Sequence, residues 1–342
     1  MNARQLIFAA PRVIEIRPVR LGPPGPGQVL VANRLSAISA GTEMLIYRGM
    51  APQEMAIDAT LPALHGLFQY PLTYGYASVG QVLEVGPGVD PSWRSRRVFA
   101  FQPHATHFLA PVNQVLALDE ALADEDAVFI PNLETAVSLV QDGRPLLGEA
   151  VVVFGQGILG LLVTRLLSRF PLGALVTLER HPLRRQASLE LGPTACIDSS
   201  IPDLLTQVPA ALPGGRADLT FELSGDPSAL DRAVSVTGFT GRVVLGSWYG
   251  TQPTRLELGG EFHRSRIQIV SSQVSTIAPE LSGRWTKERR LQVVVQLLPQ
   301  IAPSRWITHA VDFAEASQAY QRLDQQPETA LQVVLRYSGG ET

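Results

Sequence analysis

The sequence predicts a two-domain α/β protein in which a β-barrel-like domain precedes a doubly wound parallel sheet. The chain has 342 residues, a length that commonly corresponds to two domains. Residues 1–120 contain short apolar runs between Gly- and Pro-rich turns, a pattern typical of a small all-β domain. From about residue 134, helical segments alternate with buried strands, which favours a parallel sheet covered by helices.

The N-terminal domain shows its strands as short β-type runs. Residues 28–32, 78–85 and 97–101 are such runs. The segments 22–27 and 86–88 contain the Gly-Pro combinations that mark turns. Regular strands separated in this way predict a barrel.

The second half shows the alternation of strands and helices more clearly. We predict strands at 150–154, 174–179, 195–198, 217–223, 242–247 and 266–272. Helices are predicted at 183–191, 227–237, 287–298 and 313–323, and a last strand at 330–337.

A glycine-rich turn marks the first strand of this half. It reads Gly155-Gln156-Gly157-Ile158-Leu159-Gly160, after the apolar strand 151–154 and before an apolar helix over 161–170. Gly155 allows the sharp turn, Gly157 lets the backbone approach a pyrophosphate, and Gly160 lets the helix pack on the sheet. The helix N-terminus favours the negative charge of the phosphates. The order predicts a dinucleotide-binding Rossmann domain.

Polar residues at later strand ends extend the predicted cofactor site. Glu179 ends the next strand, about 20 residues past the glycines, where a carboxylate accepts hydrogen bonds from the adenosine ribose. A carboxylate there repels a 2′-phosphate and favours NAD, whereas Arg180 and the nearby Arg184–Arg185 pair leave NADP as the alternative. Three residues after later strands are expected to touch the ribose or nicotinamide: Ser224, Gly246 and Ser247.

Composition excludes several other classes. The formal net charge of −3 gives no general attraction to nucleic acid, and Arg pairs such as Arg289–Arg290 are expected on solvated faces. A single cysteine, Cys196, excludes an internal disulfide and a cysteine zinc lobe. The sequence predicts no signal peptide and no membrane span, so we expect a cytoplasmic protein that acts on a small molecule.

Several segments, in order, resemble the medium-chain dehydrogenase/reductase superfamily. They are 39–43 (SAGTE), 75–82 (GYASVGQV), 147–153 (LGEAVVV) and 241–247 (GRVVLGS). The resemblance implies a GroES-like catalytic domain formed by 1–132 and 275–342 around a Rossmann domain at 133–274. It also implies a homodimer through the edge strand near 267–271.

The chain departs from the zinc-dependent members at all three catalytic ligand positions. Ala40 stands where the family has a cysteine, Tyr76 where it has a histidine, and Pro131 where it has a cysteine or glutamate. None of these side chains builds the three-ligand open site of catalytic zinc. The segments 38–48 and 70–80 look most like the 3-hydroxyethyl bacteriochlorophyllide a dehydrogenase branch. We therefore expect a zinc-less member that uses NAD or NADP.

Without zinc, a side chain must handle the proton of the substrate oxygen. The candidates are Thr42, Tyr76 and His104. Thr42 aligns with the family's proton-relaying hydroxyl, although a helix cap is the alternative. The Tyr76 phenol, with a reference pKa of about 10, either donates a proton or fills the vacated space. His104 either lies in the substrate pocket or is an ordinary core or surface histidine.

The resemblance places two further residues beside the chemistry. Thr135 corresponds to a threonine that contacts the edge of the nicotinamide, and Glu43 takes an acidic position that orients its neighbours. The loop 50–71 is apolar, and three of the four methionines lie between positions 44 and 55, which suits an adaptable apolar pocket or a packed lid or interface segment. We expect an alcohol dehydrogenase or ketone reductase with a largely apolar substrate. The alternatives are a C=C reductase and a non-catalytic dinucleotide-binding protein.

Overall fold

The computed structural model describes residues 1–58 and 60–337, and the chain divides into two compact units. Unit 1 comprises Met1–Pro131 with Leu298–Thr342, and unit 2 comprises Asn132–Leu297. Within the described residues, no helix combines the length and the apolar character needed to cross a membrane.

Strands and helices of both units are numbered in chain order. The strands are β1 Asn2–Ala10, β2 Val13–Arg20, β3 Gln28–Ala37, β4 Ser78–Val85, β5 Arg97–Ala100, β6 His107–Pro111, β7 Val115–Ala117, β8 Ala150–Phe154, β9 Ala174–Glu179, β10 Ala195–Asp198, β11 Ala217–Glu222, β12 Thr237–Leu245, β13 Gln268–Ser271, β14 Ile307–Asp312 and β15 Gln332–Arg336. The helices are α1 Glu43–Tyr47, α2 Asp124–Ala127, α3 Ile130–Gly143, α4 Ile158–Leu167, α5 Pro182–Leu189, α6 Leu204–Ala210, α7 Ala229–Val236, α8 Lys287–Ile301 and α9 Ala316–Gln325.

Unit 1 is built on a mixed seven-stranded sheet centred on β3. One edge of β3 pairs with β4, and the other edge is shared by β6 along Gln28–Ala32 and β15 along Leu35–Ala37. The path β14-β15-β3-β4-β5-β7 completes the sheet, and β1 and β2 form a separate antiparallel hairpin. β3 thus joins residues from both ends of the chain, because β15 comes from the C-terminal segment.

Unit 2 is a six-stranded parallel sheet with the order β10-β9-β8-β11-β12-β13. All residues of β8 and β9 are buried, as expected for parallel strands covered by helices on both faces. The chain winds outward from β8 in one direction and from β11 in the other. This reversal creates a crevice at the carboxyl ends of β8 and β11, where open α/β sheets bind ligands. The predicted α/β fold class is confirmed.

A buried ion pair fixes α8 to α3 within unit 2. The Arg290 guanidinium lies 2.9 Å from Oε1 of Glu134 and also donates to Ser138 Oγ at 3.2 Å. Arg290 is 1% exposed, so the expectation of a solvated face is wrong for this residue. Burial is tolerated because the charge is paired and the remaining guanidinium protons reach backbone carbonyls, including that of Thr276. The boundary between the units consequently falls inside α8.

The fifth strand of unit 2 starts earlier than the sequence suggested. β12 runs from Thr237 to Leu245, whereas we predicted 242–247. The Thr237 hydroxyl bonds to Thr220 and to the carbonyl of Ala233, so the chain passes from α7 into the strand without an intervening loop. Gly246 and Ser247 therefore lie just beyond the carboxyl end of β12.

Candidate active site and dinucleotide site

The glycine turn follows β8 at the crevice of unit 2. Gly155 has φ +85°, and a Cβ there would lie 2.6 Å from the Ser224 Cα. A Cβ on Gly160 would lie 1.9 Å from the Gly155 carbonyl oxygen. Both glycines are thus required by the protein's own backbone, as the sequence predicted. α4 begins at Ile158, so its free N–H groups open beside the turn.

Gly157 differs from the other two glycines because its own surroundings are open. Among the described residues, the nearest atom to a Cβ at Gly157 is a guanidinium nitrogen of Arg184, at 4.0 Å. The backbone at Gly157 leaves room for a ligand to approach, which is the role that the motif assigns to this position.

Gln156 and Ile158 of the turn point into the protein. The Gln156 amide donates to the Gly155 carbonyl at 3.0 Å and accepts from the Thr164 hydroxyl at 3.0 Å. Gln156 is fully buried and Ile158 is buried, whereas Leu159 is half-buried. Any contact of Gln156 with a cofactor would therefore come from its backbone.

Glu179 lies at the end of β9, where its carboxylate holds the turn in place. One oxygen accepts the backbone N–H of Gln156 at 2.8 Å, and the other accepts the backbone N–H of His181 at 2.9 Å. Each carboxylate oxygen keeps a further lone pair for a ribose hydroxyl. The predicted ribose contact stays a prediction, and the structure adds a second role for the same carboxylate.

The arginines after Glu179 differ in how many hydrogen bonds and ion pairs their guanidinium groups form. The Arg185 guanidinium pairs with Asp198 at 3.0 Å and donates to the carbonyls of Glu179 and Arg180. Arg180 is exposed, and its Nε donates to His181 at 3.2 Å. Arg185 is therefore committed to holding the loop after β9.

A second carboxylate, Glu222, ends β11 and was missed in the sequence analysis. It is fully buried and accepts the backbone N–H of Ser224 at 2.8 Å, the Ser224 hydroxyl, and the Tyr249 phenol at 2.6 Å. Burial and the negative charge of Glu222 raise the pKa of Tyr249 well above its usual range. An acid at the end of a buried strand, as at Glu179, was the signal that could have found it.

The remaining predicted cofactor residues lie at or after strand ends in unit 2. Ser224 is exposed, and the Ser247 hydroxyl accepts the Gly225 backbone N–H at 2.9 Å. A Cβ on Gly246 would lie 2.5 Å from Leu223 Cδ2, so glycine is required there. Thr135 is half-buried on α3. The sheet brings Ser247 into contact with the residue that follows Ser224.

In unit 1, three hydroxyl groups meet around Tyr76, which is one of the three positions where the family resemblance implies a zinc ligand. The Tyr76 phenol donates to the Ser39 hydroxyl at 2.5 Å. Thr42 takes the N-cap position of α1, and within the described residues its hydroxyl bonds to Tyr76 rather than to the helix. All three residues are half-buried. We call Ser39, Thr42 and Tyr76 the hydroxyl cluster.

Behind the hydroxyl cluster lies a buried network around Glu43. The Glu43 carboxylate accepts the Ser39 backbone N–H at 2.8 Å, the Tyr320 phenol, and His104 Nε2 at 3.1 Å. His104 Nδ1 lies 2.7 Å from the Ser36 hydroxyl. Since a carboxylate only accepts, the Nε2–H of His104 donates to Glu43, and Nδ1 shares the second hydrogen bond with the Ser36 hydroxyl. We call Ser36, Glu43, His104 and Tyr320 the buried network.

Full burial limits what the buried network can do. Ser36, His104 and Glu43 follow the serine–histidine–acid order of hydrolytic triads, but each is 0% exposed. A substrate carbonyl cannot reach Ser36. His104 presents no free nitrogen, so any part in catalysis passes through Glu43.

Gly75 allows His104 to pack against the segment that carries Tyr76. Gly75 has φ +119°, and a Cβ there would lie 2.8 Å from the His104 ring. The Gly75-Tyr76 pair was part of the family resemblance, but this contact with a residue 29 positions later was not predictable from it.

Burial raises the pKa of the Tyr76 phenol above its usual value of 10. The Ser39 and Thr42 hydrogen bonds oppose this effect, and the Glu43 charge adds to it. Tyr76 is consequently a neutral phenol at physiological pH, with a proton to donate.

The vacated zinc positions offer no set of metal ligands. Ala40 is exposed and has no donor atom, Pro131 is buried, and the Tyr76 oxygen is bonded to Ser39. In residues 1–58 and 60–337, no group of three or more His, Cys, Asp or Glu side chains is arranged to hold a metal ion. The residues present do not fit a three-ligand zinc site.

Comparisons with known proteins agree with the fold. The family model described as "Zinc-binding dehydrogenase" matches residues 159–289, a segment without the positions of Ala40, Tyr76 and Pro131. The (R,R)-butanediol dehydrogenase of Bacillus subtilis is 26% identical over 74% of this chain and 77% of its own length. The 2-desacetyl-2-hydroxyethyl bacteriochlorophyllide A dehydrogenase of Rhodobacter capsulatus is 26% identical over 96% of both chains.

A solved structure supports the same architecture. The rspB protein of Escherichia coli CFT073, in complex with the cofactor NADH, superimposes with a TM-score of 0.79 at 21% identity. The match covers 98% of this chain and 99% of the other.

Proposed function

We propose that this chain is a member of the medium-chain dehydrogenase/reductase superfamily, an NAD(P)-dependent oxidoreductase that interconverts an alcohol and a carbonyl compound without a catalytic zinc ion. The observation that carries the proposal is the hydroxyl cluster, because it places the Tyr76 phenol, a proton donor, at a position where zinc-dependent members have a ligand and surrounds it with two further hydroxyl groups.

In the proposed reaction, a bound nicotinamide supplies or accepts the hydride. The Tyr76 phenol donates its proton to the substrate oxygen during reduction and recovers it during oxidation. Thr42 hydrogen-bonds to Tyr76 and stabilises the phenolate. His104 acts as a positioning residue, since it reaches the cluster through Glu43 and the Ser39 backbone.

NAD is the proposed cofactor in preference to NADP. The Glu179 carboxylate stands at the end of β9, and a 2′-phosphate bound beside it would meet a negative charge. Of the three arginines that follow Glu179, Arg185 is held by Asp198 and two carbonyl groups. The other residues of the turn, the strand ends and α3 complete the proposed cofactor site.

A largely apolar substrate is supported by aromatic rings beside Tyr76. The Tyr74 ring meets the Tyr76 ring edge-on with centroids 5.9 Å apart, and Phe68 lies 6.1 Å from Tyr74. Both rings are buried, at 3% and 5% exposure for Phe68 and Tyr74, and they make the protein interior behind the phenol apolar. The proposal also includes a cytoplasmic location, which the single cysteine supports, and a homodimer, which the family resemblance supports.

The test combines metal analysis with substitutions in the hydroxyl cluster. We expect purified protein to oxidise or reduce a substrate from an apolar alcohol and ketone panel with substoichiometric zinc. Tyr76→Phe should lower kcat by about 10²-fold or more while leaving NADH affinity unchanged. One zinc per chain, lost together with activity on chelation, would overturn the proposal. Turnover of enones but not of matched ketones would point instead to C=C reduction.

A further inference from the structure

We propose that Ser39 is the proton-relay partner of Tyr76 and exchanges the reaction's proton with solvent water. The inference rests on the proposed function and assigns a role to a residue that neither the resemblance nor the comparisons single out. The relay would take the place of a metal-bound route for the proton.

The geometry singles out Ser39 among the groups around Tyr76. Its hydroxyl oxygen lies 2.5 Å from the Tyr76 phenol oxygen, the short range of O–H···O hydrogen bonds. Ser39 is half-buried and is followed by the exposed Ala40, so this segment of the chain reaches the protein surface. A relay residue needs both features.

The position of Ser39 is fixed by the buried network. Its backbone N–H is held by Glu43 at 2.8 Å, and Glu43 is itself held by His104 and Tyr320. Because Glu43 and His104 are 0% exposed, their orientation cannot relax into solvent. The network therefore orients Ser39, although no proton passes through a backbone amide.

Because no proton passes through a backbone amide, the buried network is excluded as the proton route. From Glu43, hydrogen bonds continue through His104 to Ser36, and from Ser36 to the Tyr337 phenol at 2.7 Å. This line reaches Ser39 only through the backbone N–H, which does not exchange a proton with the Ser39 hydroxyl. The solvent side of Ser39 is the open route.

The proton balance of the relay is complete. In alcohol oxidation, the alcohol O–H proton passes to the Tyr76 oxygen as hydride leaves the carbinol carbon for the nicotinamide. The Tyr76 proton passes to the Ser39 oxygen, and the Ser39 proton passes to water. In reduction the three transfers reverse, with water as the proton donor. Both hydroxyls rotate freely enough to serve either direction.

A direct readout of the Tyr76 phenol tests the proposal independently of turnover. Protein labelled with 3-fluorotyrosine is titrated by ¹⁹F NMR, with the Tyr76 resonance assigned by its loss in Tyr76→Phe. The groups that face this phenol are Glu43, Tyr74 and the hydroxyls of Ser39 and Thr42. The Ser39 hydrogen bond lowers the pKa of Tyr76, so Ser39→Ala should raise the titration midpoint.

Kinetics supply the second readout. We expect Ser39→Ala to lower kcat about ten-fold or more with an unchanged KM for NADH, and Ser39→Thr, which keeps the hydroxyl, to restore both kcat and the midpoint. A shifted midpoint with wild-type kcat would show a hydrogen bond without a relay and overturn the proposal. So would an unchanged midpoint, or failure of Ser39→Thr to rescue. Wild-type kcat in Tyr76→Phe would instead sink the proposed function.

Discussion

Unit 2 forms its candidate site from backbone groups and residues close in sequence, whereas unit 1 forms its site from side chains far apart in sequence. In unit 2, Gly155, Gly160 and Glu179 belong to one β-turn-α-β segment, and their contacts are mostly with main-chain atoms. In unit 1, Glu43 contacts His104 and Tyr320, which lie in separate parts of the chain. The first arrangement suits binding of a common ligand, and the second allows the chemistry to diverge.

The tyrosines mark the same contrast. Six of the seven are in unit 1, and all seven have a pKa raised by burial. In four of those in unit 1, the charge of the Glu43 carboxylate adds to the effect: Tyr74, Tyr76, Tyr320 and Tyr337. Unit 2 relies on carboxylates that accept backbone N–H groups.

The largest expected effect comes from Gly160→Ala in unit 2. The added Cβ would lie 1.9 Å from the Gly155 carbonyl, so we expect a loss of about 3 kcal/mol in the free energy of unfolding and no detectable NADH binding. Denaturant unfolding and fluorescence titration with NADH measure the two effects.

Gly157→Ala is the matched control for that comparison. Its Cβ meets no described atom closer than 4.0 Å, so the free energy of unfolding should stay near wild type while NADH affinity falls. If Gly157→Ala destabilised the ligand-free protein as much as Gly160→Ala, the assignment of separate structural and binding glycines would be wrong.

Gly75→Ala tests the distant contact in unit 1. The Cβ would strain a backbone with φ +119° and lie 2.8 Å from the His104 ring, which two hydrogen bonds hold in place. We expect a loss of about 2 kcal/mol in denaturant unfolding. Gly88→Ala, with φ +80° and no described atom within 4 Å, should cost about 1 kcal/mol. Equal losses would show that the His104 contact is unimportant.

Glu179 gives a smaller effect on cofactor choice. Removing its charge by Glu179→Gln should shift the ratio of kcat/KM values for NADH and NADPH by about ten-fold toward NADPH. Glu179→Asp keeps the charge and serves as the control, with a ratio closer to wild type. A ratio that stayed constant in Glu179→Gln would remove the argument for NAD from this residue.

A last prediction is an alkaline loss of stability, carried by the buried tyrosines of unit 1 together with Tyr249 of unit 2. Above about pH 10, a tyrosine with a raised pKa keeps its proton in the folded protein but loses it in the unfolded protein. The free energy of unfolding is therefore unaffected below that pH and falls as the pH rises above it. Lys287 is the sole lysine, which leaves this range almost free of other titrations. Urea unfolding from about pH 8 to 11 should show the decline, and Tyr337→Phe and Tyr249→Phe should each flatten it. A flat wild-type profile would contradict the burial of these phenols.

The fold of unit 2 was largely predictable because its signals are local. The strands 150–154, 174–179 and 195–198 match the observed β8, β9 and β10, since apolar runs between turns define buried parallel strands. Glu222 was missed although it stands in the same kind of position as Glu179. Arg290 was misplaced because an arginine next to another arginine on a helix gives no sign of a distant Glu134.

By itself, the sequence determined the α/β class, the glycine turn and the absence of zinc-ligand side chains at Ala40, Tyr76 and Pro131, because these depend on residue type and short spacing. Only the tertiary structure decided that His104 is buried against Gly75, that Glu43 joins His104 to Tyr320, and that Ser39 meets Tyr76. Those contacts arise from the pairing of β3 with strands from three parts of the chain. Local patterns contain no information about such non-local pairing, which is set by how the whole sheet packs.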